Sequence, residues 1–127
     1  MDNTIKQQLI ETYINAYNRF EIDKMLTVLT DDVTFENLDN DTVTAKADNK
    51  AEFAELAQQA KVAFAEREQK IMAIEHLDNL SIIAINYSGT LAIDLSNGLN
   101  AGETIILTGQ SEFKFKNGFI SSIRDIS

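Results

Sequence analysis

Two tyrosines and one aspartate are the residues of this chain that could take part in chemistry. Tyr13 and Tyr17 lie four positions apart, so on a helix both phenols project from one face. A phenol there could donate a hydrogen bond to a ligand carbonyl, or both tyrosines could be core aromatics with satisfied hydroxyls. If Asp125 faces an apolar pocket, desolvation would raise its pKa and make it a usable acid or base. The alternatives for Asp125 are an ion pair with Arg124 or Lys114, or a solvated carboxylate.

The other polar candidates are Asn37 and His76. The Asn37 amide could orient a ligand or a water but cannot act as a base, and it could equally bond a turn. His76 is the single histidine and lies beside a predicted turn, which is typical of a surface residue. Without a second histidine, a cysteine or a spaced carboxylate cluster we expect no metal site. The chain also has no glycine-rich phosphate loop, so we expect no cofactor.

Length and charge limit the class of protein. A chain of 127 residues fits a single domain, residues 1–127. The formal net charge of −9 argues against binding to nucleic acid or to anionic membranes. No apolar run is long enough to span a bilayer, and the N-terminal segment lacks the features of a secretory signal. We therefore expect a cytoplasmic protein, and the absence of cysteine excludes disulfides.

The first half of the chain predicts three helices with two short strands between the second and the third. An apolar stripe spaced by three and four residues predicts the first helix, and it carries Tyr13 and Tyr17. A short helix is expected after Asp23. Alternation then favours strands over residues 33–37 and 42–45. Asn49 is typical of a helix start, and the helix that follows would carry Phe53 and Phe64 on its apolar face.

The second half predicts a run of antiparallel strands, because its apolar residues recur with a period of two. Strands are expected over residues 69–77, 80–95, 103–116 and 119–126, with a tight hairpin at Asn117-Gly118. A bend near Gly89 would let the sheet curl around the helices. Helices on one face of such a sheet define an α+β fold.

Alternation also assigns the faces of these strands. Leu107, Ser111 and Phe113 share the inward side of the strand over residues 103–116. Ile106, Thr108 and Gln110 share its outer side, which is too apolar for a fully solvated face. We therefore expect a second copy of the chain to cover the outer face, giving a homodimer. In the last strand, Ile123 and Asp125 lie together, opposite Ile120.

The inward residues together predict an apolar pocket with a few polar points. The apolar members are Phe35, Phe53, Phe64, Leu107, Phe113, Phe115 and Ile123, and the polar members are Tyr13, Tyr17, Asn37, Ser111 and Asp125. Such a composition favours binding of a small apolar molecule. Two other functions stay open. One is an enzyme that uses Asp125 as acid or base and Tyr13 as polariser, and the other is a homodimeric interaction module with a vestigial pocket.

Two segments carry a resemblance to a known superfamily. YINAYNRFEIDKMLTVLTDDVTFEN (residues 13–37) and GQSEFKFKNGFISSIRDIS (residues 109–127) resemble the opening and the ending of nuclear transport factor 2-like domains. That group includes ketosteroid isomerase, SnoaL-like polyketide cyclases and limonene-epoxide hydrolase. The resemblance implies a cone-shaped α+β fold, with a curved mixed or antiparallel sheet wrapped around three helices of the N-terminal half. It also implies a deep internal pocket and homodimers packed sheet to sheet.

The resemblance carries over to single residues only in part. The oxyanion-hole phenol of ketosteroid isomerase falls at Tyr13, but its catalytic base falls at Asn37 and its protonated aspartate at Ser111. Steroid isomerisation by that mechanism is therefore not expected. The hydrolase and cyclase branches use an acidic residue on the closing strand, which Asp125 resembles. The further aspartate and arginine of the hydrolase have no counterpart at the neighbouring inward positions, so the reaction stays open.

Overall fold

The computed structural model describes residues 1–127 as three helices and six strands. The helices are α1 (Asn3–Asn18), α2 (Ile22–Leu26) and α3 (Lys50–Ala63). The strands are β1 (Leu29–Asp39), β2 (Thr42–Ala47), β3 (Phe64–His76), β4 (Ser81–Leu91), β5 (Thr104–Lys116) and β6 (Phe119–Ile126). No helix is long and apolar enough to cross a membrane.

Capping residues set where the two long helices begin. The side chain of Asp2 accepts a hydrogen bond from the Thr4 amide at 2.6 Å, and Asn49 accepts one from the Glu52 amide at 2.9 Å. Each bond satisfies one of the free amides of a first helical turn. α3 passes into β3 without a loop, because Phe64 already has extended backbone angles. The prediction that Phe64 belongs to the helix is therefore wrong, and Phe64 is the first residue of β3.

The six strands form one curved, open sheet with the order β2-β1-β6-β5-β4-β3. All neighbours are antiparallel except β1 and β6, which run parallel. The sheet wraps around the helices, so the predicted α+β class and the cone shape are confirmed. The parallel pair brings β6 into the middle of the sheet, between β1 and β5. This position carries Asp125 to the inner wall rather than to an edge.

A β-bulge in β6 changes which residues face the core. Phe115 pairs with Ile120 but Lys114 pairs with Ser122, so Ser121 is an extra residue in the ladder. The extra residue turns the strand, and both Ile120 and Ile123 are fully buried. The strict alternation that placed Ile120 opposite Ile123 is wrong for this reason.

The hydrophobic core lies between the inner face of the sheet and the apolar stripes of the helices. α1 contributes Ile10, Tyr13 and Ile14, and α3 contributes Phe53 and Ala57. The sheet contributes its fully buried residues Val33, Ile83, Phe113, Ile120 and Ile123.

Candidate functional site

Two cavities share part of their walls. The larger cavity has a volume of about 430 Å³ and lies between α1, α3 and the sheet. The smaller cavity, about 200 Å³, lies where β6 stops and the last residues of the chain pass beside β5. Tyr17, Asn37 and Asp125 line both cavities. Three of the residues singled out from the sequence therefore form the boundary between two adjoining volumes.

Asp125 is held by the strands on either side of β6. It pairs with Asn37 of β1 and with Ser111 of β5, and the Ser111 hydroxyl donates a 2.7 Å hydrogen bond to its Oδ1. Burial raises the pKa of Asp125 to about 6, while the Ser111 hydrogen bond acts in the opposite direction. Arg124 pairs with Glu112 at 3.1 Å and not with Asp125. No cation neutralises this carboxylate, so the ion-pair alternative does not hold.

Tyr13 reaches the larger cavity from α1. Its side chain is buried, with its ring centroid 6.2 Å from that of Phe53 and 5.8 Å from that of Phe113. Burial raises the pKa of Tyr13 well above its usual value, and the nearby Asp125 charge raises it further. The phenol therefore stays protonated at any physiological pH and can act as a hydrogen-bond donor toward the cavity. It lines the same volume as Asp125.

Tyr17 lies one turn further along α1, at the boundary of the two cavities. The guanidinium of Arg67 stacks on its ring, with a distance of 3.6 Å from Cζ to the ring centroid. Burial raises the pKa of Tyr17, and the charge of Arg67 opposes that shift. Tyr17 is half-buried and makes the wall that both cavities share.

Three phenylalanines make an aromatic wall of the larger cavity. Phe35 of β1 and Phe53 of α3 meet edge to face with centroids 5.5 Å apart. Phe64 packs against Tyr87 at 6.2 Å. All three phenylalanines line the larger cavity. Gly89 makes room for the second contact, because a Cβ there would lie 2.8 Å from the Tyr87 hydroxyl and 2.9 Å from the Phe64 ring.

Asn37 lines both cavities and also bonds to the neighbouring strand. Its Nδ2 donates a 2.8 Å hydrogen bond to Oγ1 of Thr44 in β2. The β1–β2 register shifts at this point, since Asn37 pairs with Ala45 and Leu38 with Val43. The amide thus bonds a residue of strand β2 at an irregular stretch of the hairpin, and not the turn itself.

Three of the expected lining residues, Phe113, Phe115 and Ile123, line neither cavity. Phe113 and Ile123 are fully buried and line neither cavity, because the Tyr13 ring packs on Phe113 and closes that end of the volume. Leu107 lines the smaller cavity but is 45% exposed. β6 pairs with β5 only from Gln110 onward, so Leu107 has a strand neighbour on one side alone. Its expected place deep in the pocket is therefore wrong. Ser111 does line the smaller cavity.

Arg67 is a cavity residue that the sequence reasoning missed. It is 6% exposed and lines the larger cavity from β3. The strand was expected to start at residue 69, which left Arg67 outside it. The strand in fact starts at Phe64 and includes Arg67. A register shift between Phe64 and Glu66 then places Arg67 on the inward face with Gln69 and Ile71. A charged residue on an inward face was the signal that could have found it.

His76 lies away from both cavities. Its Nδ1 and the Ser81 hydroxyl are 2.7 Å apart at the turn between β3 and β4. No three His, Cys, Asp or Glu side chains lie together in a group that could hold a metal ion.

Comparison with known proteins agrees with this architecture. The model of the SnoaL-like domain family matches residues 10–123 of the chain. No curated protein sequence matches it. Among solved structures, the chain is similar to a candidate polyketide cyclase from Xanthomonas campestris pv. campestris. The TM-score is 0.85 and the identity 20%, over 98% of this chain and 90% of that one.

Two further structures have the same fold. One is an epoxide hydrolase of M. tuberculosis that resembles limonene-epoxide hydrolase (TM-score 0.77, 17% identity, 97% of this chain and 82% of that one). The other is a protein with a ketosteroid isomerase-like fold from Catenulispora acidiphila DSM 44928, in complex with trimethylamine (TM-score 0.77, 11% identity, 92% of this chain and 82% of that one). At these identities the likeness concerns the fold alone. The match of the family model over residues 10–123 shows the family, and the chain is a member of the SnoaL-like domain family within the nuclear transport factor 2-like superfamily.

Proposed function

We propose that this protein binds a small, mostly apolar organic molecule in the larger cavity. The observation that carries the proposal is the composition of the cavity wall: 11 of its 15 lining residues are hydrophobic, around a volume of about 430 Å³. Ligand sites for small molecules are typically clefts of about 300–1,000 Å³ with apolar walls and a few polar groups. An apolar cavity of this size in so small a domain favours the binding of a ligand.

Tyr13 and Asp125 are the polar groups that would orient the ligand. The Tyr13 phenol stays protonated and would donate to a carbonyl or hydroxyl oxygen of the ligand. The Asp125 carboxyl, with a pKa of about 6, can accept a hydrogen bond when ionised and donate one when protonated. Both groups line the larger cavity, and the charge of Asp125 raises the pKa of Tyr13, so the two side chains lie near each other.

Binding can be tested with a neutral aromatic ketone, 2-acetylnaphthalene, followed by calorimetry. Wild-type protein should bind one molecule per chain. Ala60→Phe, which adds a ring to the cavity wall, should weaken binding at least tenfold. Ala51→Phe places the same ring on the exposed side of α3 and should leave affinity within twofold of wild type. Binding that is absent in wild type, or that is unchanged in Ala60→Phe, contradicts the proposal.

Acid–base catalysis is the second candidate, and the uncompensated Asp125 carboxyl favours it. A carboxyl with a pKa of about 6 is close enough to neutral pH to exchange protons with a substrate. In this scheme the ionised Asp125 takes a proton from the carbon next to a ligand carbonyl. The Tyr13 phenol donates to the enolate oxygen that forms. The protonated Asp125 exchanges its proton with solvent and then protonates the carbon.

Proton exchange from the methyl group of 2-acetylnaphthalene into D₂O would reveal such a step in an NMR spectrum. Wild-type protein should accelerate the exchange over buffer, while Asp125→Asn should abolish the acceleration and Tyr13→Phe should reduce it. If the ketone binds but its methyl protons exchange no faster than in buffer, the catalytic proposal is abandoned and the binding proposal stands.

A further inference from the structure

We propose that Arg67 binds a carboxylate group of the ligand, so that the preferred occupant of the larger cavity is an apolar organic acid. This inference rests on the proposed binding function and adds the chemical class of the molecule. It starts from a buried cation whose hydrogen-bonding capacity is largely unused.

The position of Arg67 is fixed by α1. Its Nε donates a 3.0 Å hydrogen bond to the Tyr17 carbonyl in the last turn of that helix. The guanidinium lies over the Tyr17 ring and 4.4 Å from the centroid of the Phe20 ring. The negative end of the helix dipole and the two aromatic faces both favour a cation at this point. The side chain is therefore held rigidly on the cavity wall with its charge intact.

Most of the guanidinium donors remain free. An arginine carries five N–H groups, and the structure gives Arg67 one hydrogen bond, from Nε. Its Nη2 is buried and has no hydrogen-bond partner. None of the four ion pairs of the protein includes Arg67, although the chain has 20 acidic residues. A buried cation without a carboxylate is costly, and such groups are usually paired.

Asp125 does not supply the missing partner. It lines the same cavity, but its hydrogen bond goes to Ser111, and it forms no ion pair. The cavity wall thus presents a fixed cation on β3 and a separate titratable carboxyl on β6. Aromatic and aliphatic side chains make up most of the surface between them. A planar carboxylate matches the fork of guanidinium N–H groups in charge and in geometry, and an apolar body matches the remaining wall.

The test compares two probes of nearly the same shape, 2-naphthoate and the neutral 2-acetylnaphthalene, by calorimetry near pH 7. Wild-type protein should bind the carboxylate at least tenfold more tightly than the ketone. Arg67→Gln should remove this preference, because it should weaken binding of the carboxylate at least tenfold more than binding of the ketone. Arg67→Lys keeps the charge without the fork and should retain part of the preference. Arg19→Gln removes an exposed positive charge outside the cavities and should change neither affinity.

Each failure points to a different conclusion. If wild-type protein binds the ketone as tightly as the carboxylate, the role of Arg67 is overturned while the binding function stands, and this comparison needs no variant. If Arg67→Gln weakens both probes equally, Arg67 only supports the cavity wall. If neither probe binds, the proposed function fails and this inference fails with it.

Discussion

The Ser111 hydroxyl donates a 2.7 Å hydrogen bond to Asp125 across β5 and β6, at a place where no cation approaches the carboxylate. Ser111 is 4% exposed, so this pair is largely withdrawn from water. A single hydrogen bond stabilises the ionised form only in part, and burial is the larger effect on the pKa of Asp125. Two measurable consequences follow for this carboxyl.

Replacing Asp125 by asparagine should stabilise the protein at neutral pH. Burial raises the pKa of Asp125 from 3.8 to about 6. Below pH 3.8 both folded and unfolded chains carry the proton, and the raised pKa costs nothing. As the pH rises through 6, the folded protein must ionise a buried group that the unfolded chain ionises freely. Stability is therefore lost between pH 3.8 and about 6, by about 2–3 kcal/mol for a pKa shift of this size.

Urea unfolding of wild type and Asp125→Asn at pH 4 and pH 7.5 checks this prediction. The variant should gain stability relative to wild type by about 2 kcal/mol between the two pH values. Asp41→Asn, in the exposed turn between β1 and β2, is the control for the loss of one negative charge. A stability difference between Asp125→Asn and wild type that is the same at both pH values contradicts the pKa shift.

The second consequence concerns Ser111→Ala. The hydrogen bond from Ser111 lowers the pKa of Asp125, so its loss should raise that pKa further above 6. Hydrogen bonds to charged groups contribute about 1.5–3 kcal/mol, which corresponds to a rise of about one pKa unit or more. The ¹³C chemical shift of the Asp125 carboxyl, followed against pH, measures it directly. Ser121→Ala is the control, since Ser121 lies in β6 but makes no hydrogen bond to Asp125. An unchanged pKa of Asp125 in Ser111→Ala would show that this hydrogen bond does not stabilise the ionised carboxylate.

Two phenylalanines should respond differently to truncation. Phe113 is fully buried and lines neither cavity, so Phe113→Ala should cost about 4–5 kcal/mol of unfolding free energy. Phe53 is also buried but borders the larger cavity, so Phe53→Ala should cost less, about 3 kcal/mol, because fewer packed atoms surround its ring. Urea denaturation of both variants gives the comparison. Equal losses would mean that the cavity beside Phe53 is not open in solution.

Periodicity predicted the α+β class, and the resemblance to nuclear transport factor 2-like domains added the cone shape. The apolar spacing in α1 and α3 and the alternation in β5 identify residues that face the core, and Phe113 and Phe53 lie there as expected. Such patterns arise because each element has to bury one side, so they survive without knowledge of the partner element. The parallel pairing of β1 with β6 has no local signal, because it depends on contacts between distant segments.

The site was less predictable, for reasons that individual residues make clear. Ser121 adds one residue to β6, and simple alternation cannot register such a bulge. Leu107 is exposed because β6 ends before reaching it. How far one strand extends past its neighbour depends on the whole sheet and has no local sequence signal. Arg67 was missed because β3 starts directly at the end of α3, with no turn residues between them. Tyr13 and Asp125, in contrast, lie on the faces that helical spacing and strand alternation, respectively, predicted for them.

We propose that two copies of the chain pack against each other through the outer face of the sheet. Ile106 is 77% exposed on this face. On the same face, one residue from each of five neighbouring strands forms a row across the sheet. The row is apolar except for one glutamine, and its members are Ala84, Gln110, Ile126, Leu38 and Val43. An apolar strip of this extent on an open sheet is usually covered by a partner. A two-fold axis would place the strip of one copy against that of the other.

Sedimentation equilibrium at micromolar concentration should therefore give the mass of a dimer. Ile106→Lys should shift the protein toward monomer with an unchanged circular dichroism spectrum, because the side chain is already largely outside the fold. Ile93→Lys is the matched control, since Ile93 is 41% exposed in the segment between β4 and β5, outside the sheet. Each chain carries a net charge of −9, so added salt should strengthen the association by screening the repulsion between the copies. A wild-type protein that sediments as a monomer at all salt concentrations would show that this face is solvated, and the sheet-to-sheet dimer would be abandoned.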